Sequence, residues 1–478
     1  MSGNTNDTAE GEQLPGCYLL FRSRNLLGVI SAAVQDRSAR GIASAVSRLV
    51  TTGGLPVGTR LPTVRAVARA LGVSPTTVSE AWSSLARAGA IETRGRSGSY
   101  VAARRSSLRY AQLASTVEVV ERDFSTGVPD HDLLPALADS LKRVGDTRLT
   151  HSYLEAAVLP PLETVLRSRW PFTPAQLTVV DGAMDALDRV SSALIRLGDR
   201  VLVENPAFPP VLDLLDALGA TVAGVPLDEH GMNPDALAAA LREHDPVAVF
   251  LQPRAHNPTG VSLTPGRVAE LADVLAAYPD VLIVEDDHAG DIATAAPVSL
   301  GTRLPGRTVH IAGFSKSHGP DLRLAAVGGP ARAVTAVTDR RLLGPGWSSR
   351  LLQAVLLDLL LSPDATAQVA AAREVYAQRR TAMVTALAAR GVTATADDGI
   401  NLWMTVADQQ RAMLELAGHG IAVAPGAPFE VSPLGSAHVR ITAGLIRDDS
   451  DDLAGIFASA ARAGARGNGP SPTFGGPR

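Results

Sequence analysis

Hydrophobic positions first settle into a helical period between Ser38 and Val50. There Ile42, Ala45, Val46 and Leu49 fall on one face, and Gly53-Gly54 closes the run. Leu61-Pro62-Thr63 opens a second short helix, Val64 to Leu71, which Gly72 stops. Ser74-Pro75-Thr76-Thr77 starts a third at once, with Ser74 as N-cap and Pro75 in the first helical position. That helix turns Val78, Ala81, Trp82 and Leu85 inward and ends at Gly89. Two helices joined by a short Gly-containing turn have the spacing of a helix-turn-helix. Ile91–Thr93 and Ser99–Val101 then read as two strands around Arg94-Gly95-Arg96-Ser97-Gly98, a hairpin wing with two arginines at its tip.

Periodicity fades over residues 106–122, which read as a linker, and returns in another form. The apolar runs Val179-Val180, Arg200–Val203, Val247–Leu251, Val281–Val284 and Val309–Ile311 read as buried parallel strands. Helical stretches over Ala183–Leu197, Pro209–Leu218, Asn233–Glu243 and Pro265–Ala277 lie between them. The pattern predicts an α/β body over residues 123–464, a doubly wound and mainly parallel sheet with a small flanking domain. Residues 36–105 form the winged helix-turn-helix. Residues 1–35 are expected to be a partly disordered N-terminal segment, and residues 465–478, rich in Gly and Pro, a disordered tail.

Composition narrows the class. The 478 residues are 46% hydrophobic and 19% charged, enough for two to four domains and too apolar for a largely disordered chain. Cys17 is the only cysteine, which excludes intrachain disulfides and cysteine-based metal sites and fits a reducing compartment. No apolar run approaches the roughly 18 residues of a membrane span, and the N-terminus lacks a basic leader region, so a cytoplasmic location without membrane association is expected. The histidines show no metal-ligand spacing, so no metal is expected. Charge is uneven: Asp36–Arg105 holds 11 Arg and three acids, a net of +8 that leaves −12 for the rest of a chain whose total is −4. A basic module on an acidic body suits double-stranded DNA. Ser74, Thr76 and Thr77 at a helix start, Arg65 on the preceding helix, and Arg94 and Arg96 on the wing are the candidate contacts.

In the body, chemistry gathers at strand ends. Phe208 can stack on a flat ring, the amide of Asn257 can meet a ring hydroxyl, and Asp286 can pair with a protonated ring nitrogen. Lys316 is a candidate Schiff-base nucleophile. Ser315, Arg323 and the helix start at Gly182-Ala183-Met184 suit a phosphate. Arg440 can clamp a carboxylate. Together these are the requirements of pyridoxal 5'-phosphate.

The stretches Gly58–Arg65, Ala68–Val73, Ser74–Val78 and Gly95–Val101 resemble the winged helix of GntR-type transcription regulators, with Pro75 where an Arg is common. The body resembles fold type I aminotransferases, most specifically at Phe314-Ser315-Lys316, Pro320 and Arg323. A winged helix on such a body is the arrangement of MocR-type regulators. That resemblance implies a cytoplasmic, head-to-tail homodimer that binds an operator with repeated half-sites and senses a small amine or amino acid through the cofactor. It also places Tyr153 near the cofactor and His288 where a Tyr usually meets the cofactor's phenolic oxygen. Val158 and Glu163 replace a Gly and an Arg of a loop near the substrate mouth, and Gly313 replaces a hydroxyl residue. Little transaminase turnover is therefore expected. The alternative is a working aminotransferase carrying a DNA-binding appendage, and a weaker third reading is a cofactor-free dimerisation scaffold.

Overall fold

A computed structural model describes residues 26–87, 90–93, 98–102, 108–113, 120–145, 152, 155–447 and 449–464. The chain divides into two compact units, with the boundary between Arg104 and Arg105.

In the first unit, α2 (Ala39–Thr51), α3 (Val64–Leu71) and α4 (Pro75–Arg87) follow α1 (Leu26–Ala33). The caps that mark these helices in sequence form as hydrogen bonds. Ser38 Oγ accepts from Gly41 N at 3.0 Å, Thr63 Oγ1 from Ala66 N at 3.3 Å, and Ser74 Oγ from Thr77 N at 3.1 Å. Gly72 ends α3 at φ 67°, a left-handed turn that spares a Cβ clash. Ile42, Val46, Val67, Leu71, Val78 and Leu85 are buried between the three helices. Helix α1 lies inside the segment expected to be partly disordered. Its Ile30 is fully buried, and α1 packs on α2 and α3. Burying one such side chain stabilises by ~1.5–3 kcal/mol. Strands β1 (Ile91–Thr93) and β2 (Ser99–Val101) pair antiparallel with Ile91 opposite Val101. The wing tip, with Arg94 and Arg96, lies outside the described residues.

The second unit begins with a 3-10 turn at Tyr110–Leu113, β3 (Arg122–Asp123), α5 (Ala138–Gly145) and α6 (Pro160–Ser168). Its main sheet is built from β4 (Gln176–Val180), β5 (Arg200–Asn205), β6 (Thr221–Asp228), β7 (Gly231–Met232), β8 (Ala248–Leu251), β9 (Leu282–Asp287), β10 (Thr308–Gly313) and β11 (Ala325–Gly329). These eight strands lie in the order β4-β11-β10-β9-β8-β5-β6-β7. Strands β10, β9, β8, β5 and β6 pair in parallel, whereas β11 pairs antiparallel with both β10 and β4. The run Val179-Val180, expected as a parallel strand, therefore has an antiparallel ladder. Burial on both faces gives either pairing the same apolar run.

Alternation along the strands feeds two cores. Val201, Val203, Phe250 and Val284 face α7 (Ala183–Leu194) and α8 (Pro209–Leu218), while Leu202, Val249, Leu251 and Ile283 face α9 (Pro234–His244) and α10 (Pro265–Ala276). Helices α11 (Ala331–Leu342) and α12 (Arg350–Leu361) cover the β11 side, and the 26-residue α13 (Pro363–Ala388) leads to the smaller domain. There β12 (Ala394–Thr395), β13 (Leu402–Val406), β15 (Ala424–Pro425) and β16 (Ala437–Ile441) form an antiparallel sheet in the order β12-β13-β16-β15. It is packed by α14 (Gln409–Gly418) and α15 (Ser450–Arg462). Strand β14 (Ile421–Ala422) pairs in parallel with β3, fastening the start of the body to this domain. No single helix among the described residues is long and apolar enough to cross a membrane.

Candidate functional site

The candidate residues of the body collect where the parallel strands end. Phe208 follows β5, Asn257 follows β8, Asp286 is the last residue but one of β9, and Lys316 follows β10. The end of β5 is tied to the smaller domain: Asn205 Nδ2 donates to Ser432 Oγ at 2.8 Å and Ala207 N to Phe429 O at 2.8 Å. Tyr153 lies outside the described residues.

Three acids end β9, and strand alternation sorts them. Glu285 is held by His310 Nδ1 at 2.7 Å and Ser299 Oγ at 2.6 Å, and Asp287 by Arg254 at 2.5 Å. Asp286, on the opposite face, is 4% exposed; its Oδ2 accepts from Gln252 Nε2 at 2.8 Å, and its Oδ1 has no partner. Burial pushes the Asp286 carboxyl up, opposed by His288 and by the Gln252 hydrogen bond. An orphaned, buried carboxylate oxygen fits a protonated ring nitrogen. Phe208, Ala207, Val203 and Leu187 line the same cleft as Asp286, Gln252 and Glu204, so an aromatic face and an acceptor meet a flat ligand together. Glu204 is buried as well, and desolvation pushes its carboxyl well above the usual range.

His288 follows β9, and its ring is held by the backbone. Its Nε2 lies 3.0 Å from Ala255 O, and a carbonyl only accepts, so Nε2 carries the hydrogen. Burial holds the ring neutral, which makes Nδ1 an acceptor. In this arrangement the ring N–H is engaged by Ala255 O.

Lys316 Nζ donates to Gly127 O at 2.5 Å, and burial, with help from Arg440, pushes its pKa down to about 8. Arg440 is 2% exposed, with Nη1 3.3 Å from Asn257 Oδ1, Nη2 on Ser125 O, and its plane 5.4 Å from the Phe429 ring centre. Among the described residues its Nε has no partner and no carboxylate pairs with it, while burial lowers its pKa only to about 10, so it stays cationic. Gly127 joins the two: a Cβ there would stand 3.2 Å from Arg440 Nη1. Sequence reasoning missed Gly127, because its role arises from contacts with Lys316 and Arg440 far along the chain.

At the start of α7, Gly182 has φ 101°, and a Cβ would stand 3.4 Å from the Arg323 guanidinium carbon. Gly182, Ala183 and Met184 thus present a helix N-terminus beside an exposed arginine, which suits a phosphate. Ser315 is half-buried beside Lys316, and Gly313 ends β10 against His288. Val158 packs in the α6–α12 core and Glu163 pairs with Arg167 at 2.8 Å, so both have structural partners. In the first unit Arg65, Ser74 and Thr76 are exposed, and Thr77 is half-buried with Oγ1 2.8 Å from Ser74 Oγ. No group of three metal-ligating side chains occurs among the described residues.

Residues 38–101 match the bacterial regulatory proteins of the gntR family, and residues 121–457 match aminotransferase class I and II, a fold whose members use pyridoxal phosphate. The chain is 32% identical, over 87% of its length and 96% of the relative's, to the vitamin B6 salvage pathway transcriptional repressor PtsJ of Salmonella typhimurium. It is 28% identical to the HTH-type transcriptional regulator TauR of Rhodobacter capsulatus, over 80% of this chain and 88% of that one. Among solved structures, an aspartate aminotransferase from Thermus thermophilus with maleate superposes with a TM-score of 0.66 at 22% identity, covering 74% of this chain and 97% of the enzyme. That likeness concerns the fold of the body. With both segments in one chain, and regulators of the same composition matched along most of its length, the protein belongs to the MocR-type branch of the GntR family of transcriptional regulators.

Proposed function

We propose that the body unit binds pyridoxal 5'-phosphate through Lys316, and that a carboxylate-bearing amine at Arg440 changes the affinity of the regulator for its operator. The observation that carries this reading is Arg440, a buried cation with no carboxylate partner among the described residues, sharing Gly127 with Lys316 at the strand ends. A buried unpaired charge is costly, and an incoming carboxylate would neutralise it. The cofactor supplies an aldehyde that joins amines and a ring that withdraws their electrons. The chain's own groups do the rest. Lys316, with its lowered pKa, offers a neutral amine near pH 8, and Asp286 Oδ1 would accept from the ring nitrogen. Arg323 and the α7 N-terminus would hold the phosphate, and Phe208 would cover the ring.

The body also has a firm grip on the segment that enters it. Arg109 N and Tyr110 N both donate to the Asp213 carboxylate at 2.9 Å, and Leu113 is buried with Trp403 and Phe429, the ring under Arg440. A ligand on Arg440 would therefore bear on the Tyr110–Leu113 stretch of the body. A regulator needs only different ligand affinities in two conformations. With the N–H of His288 engaged by Ala255, we infer little turnover; the family resemblance, in turn, supports a homodimer with two winged helices on repeated half-sites.

The test is borohydride reduction of the cofactor-loaded protein followed by peptide mapping. A visible band and a fixed adduct on the Lys316 peptide are expected. No adduct after reconstitution with excess cofactor would contradict the reading. The likeness to a vitamin B6 salvage repressor favours a second reading, in which the cofactor itself is the signal. In that case loading alone, without an amine, would change DNA affinity.

A further inference from the structure

Gln252 follows β8, heads the Gln252–Gly260 motif that carries Asn257, and is 7% exposed; the motif alone assigns it no role of its own. Its polar groups are committed in three directions. The backbone N donates to Glu204 Oε2 at 2.8 Å, Nε2 donates to Asp286 Oδ2 at 2.8 Å, and Oε1 accepts from Asn257 N at 2.8 Å. The carboxamide cannot flip without setting its acceptor against the Asp286 carboxylate and its donor against the Asn257 N–H. One planar side chain thus links the acid meant for the ring nitrogen to the turn that carries the amide meant for the ring oxygen.

We infer that Gln252 is the positioning residue of the cofactor ring. It fixes Asp286 so that Oδ1 is the oxygen left to the ring nitrogen, and it sets the Asn257 turn in the same act. This rests on the reading that the body binds pyridoxal phosphate. The hydrogen bond from a neutral amide also stabilises the charged form of Asp286 in a buried place. Other titratable groups acting on Asp286 are Asp287 at the end of β9, His288 just after it, His310 on β10, Lys316 after β10 and Glu204 on β5. None supplies a donor to Asp286 Oδ2 in place of Gln252.

Gln252→Glu keeps the shape and an acceptor for Asn257 N but sets an acceptor against Asp286. In the full-length, cofactor-loaded protein it is expected to raise the cofactor dissociation constant roughly tenfold or more, the loss typical of a hydrogen bond to a charged group. It should also move the pH midpoint of the visible band. The double variant Gln252→Glu with Asp286→Asn exchanges acid and amide, so their hydrogen bond can re-form. Its thermal stability is expected to recover while the visible band stays displaced, since no carboxylate then serves the ring nitrogen. A single variant with wild-type affinity and band would overturn the inference. So would a single-variant effect that adds independently to that of Asp286→Asn, which would mark Gln252 as packing only. If the wild-type chain itself forms no Lys316 adduct, the cofactor reading fails instead, and the two failures are distinct.

Discussion

Arg440 is an arginine with two carbonyl-type acceptors, an aromatic face beneath it and no counter-ion among the described residues. Its position was legible because His438-Val439-Arg440-Ile441 lies near the end of the body and matches a family pattern. Its missing partner was not, because pairing depends on β16 meeting residues from the other end of the body. Arg440→Ala should leave the visible band of the loaded protein intact and weaken the response to a carboxylate-bearing amine by ~2–5 kcal/mol, the usual loss for a buried charge pair. Unchanged amine affinity in a titration would remove Arg440 from the site. Lys316 gives a pH prediction with a definite sign. Burial lowers its pKa from 10.5 to about 8, and the neutral amine is the nucleophile. Capture of the cofactor by the apoprotein should therefore accelerate as pH rises through about 8, and a midpoint near the ordinary lysine value in stopped-flow absorbance would contradict it.

At the scale of elements, local signals read well and non-local ones did not. The three main helices of the first unit were legible almost to the residue, since Ser38, Thr63, Gly72 and Ser74 act within one turn of themselves. Helix α1 escaped because Leu26-Leu27-Gly28-Val29-Ile30 carries no polar face to mark a period, and it is fixed by packing on α2 and α3. The short strands of the smaller domain, two to five residues each, gave too little alternation to read. The antiparallel β11 hid for the reason that misled Val179-Val180, burial on both faces. The start of α7 offers the sharpest element-level test. Gly182→Ala forces a side chain into a left-handed conformation beside Arg323, which costs on the order of 1–3 kcal/mol. Cofactor affinity should fall while the circular dichroism of the fold persists. Equal affinity by equilibrium dialysis would exclude the α7 N-terminus as the phosphate seat.

For the molecule as a whole, charge separates the two units' tasks. The +8 block over Asp36–Arg105 should make DNA binding steeply salt-dependent through counterion release, while the acidic body should bind little DNA. A regulator of this family needs the ligand site to change that affinity, and the site's groups converge within the body while the DNA-contacting face belongs to the other unit. The most direct measurement is the dissociation constant of the full-length, cofactor-loaded protein for the upstream region of its own gene. It would be measured at fixed salt with and without a saturating carboxylate-bearing amine, and repeated with Lys316→Ala. The expected result is a change of roughly fivefold or more, the usual scale of coupling between sites, which Lys316→Ala abolishes. An affinity that stays the same while the visible band moves would contradict the claim that this body senses an amine on behalf of the winged helix.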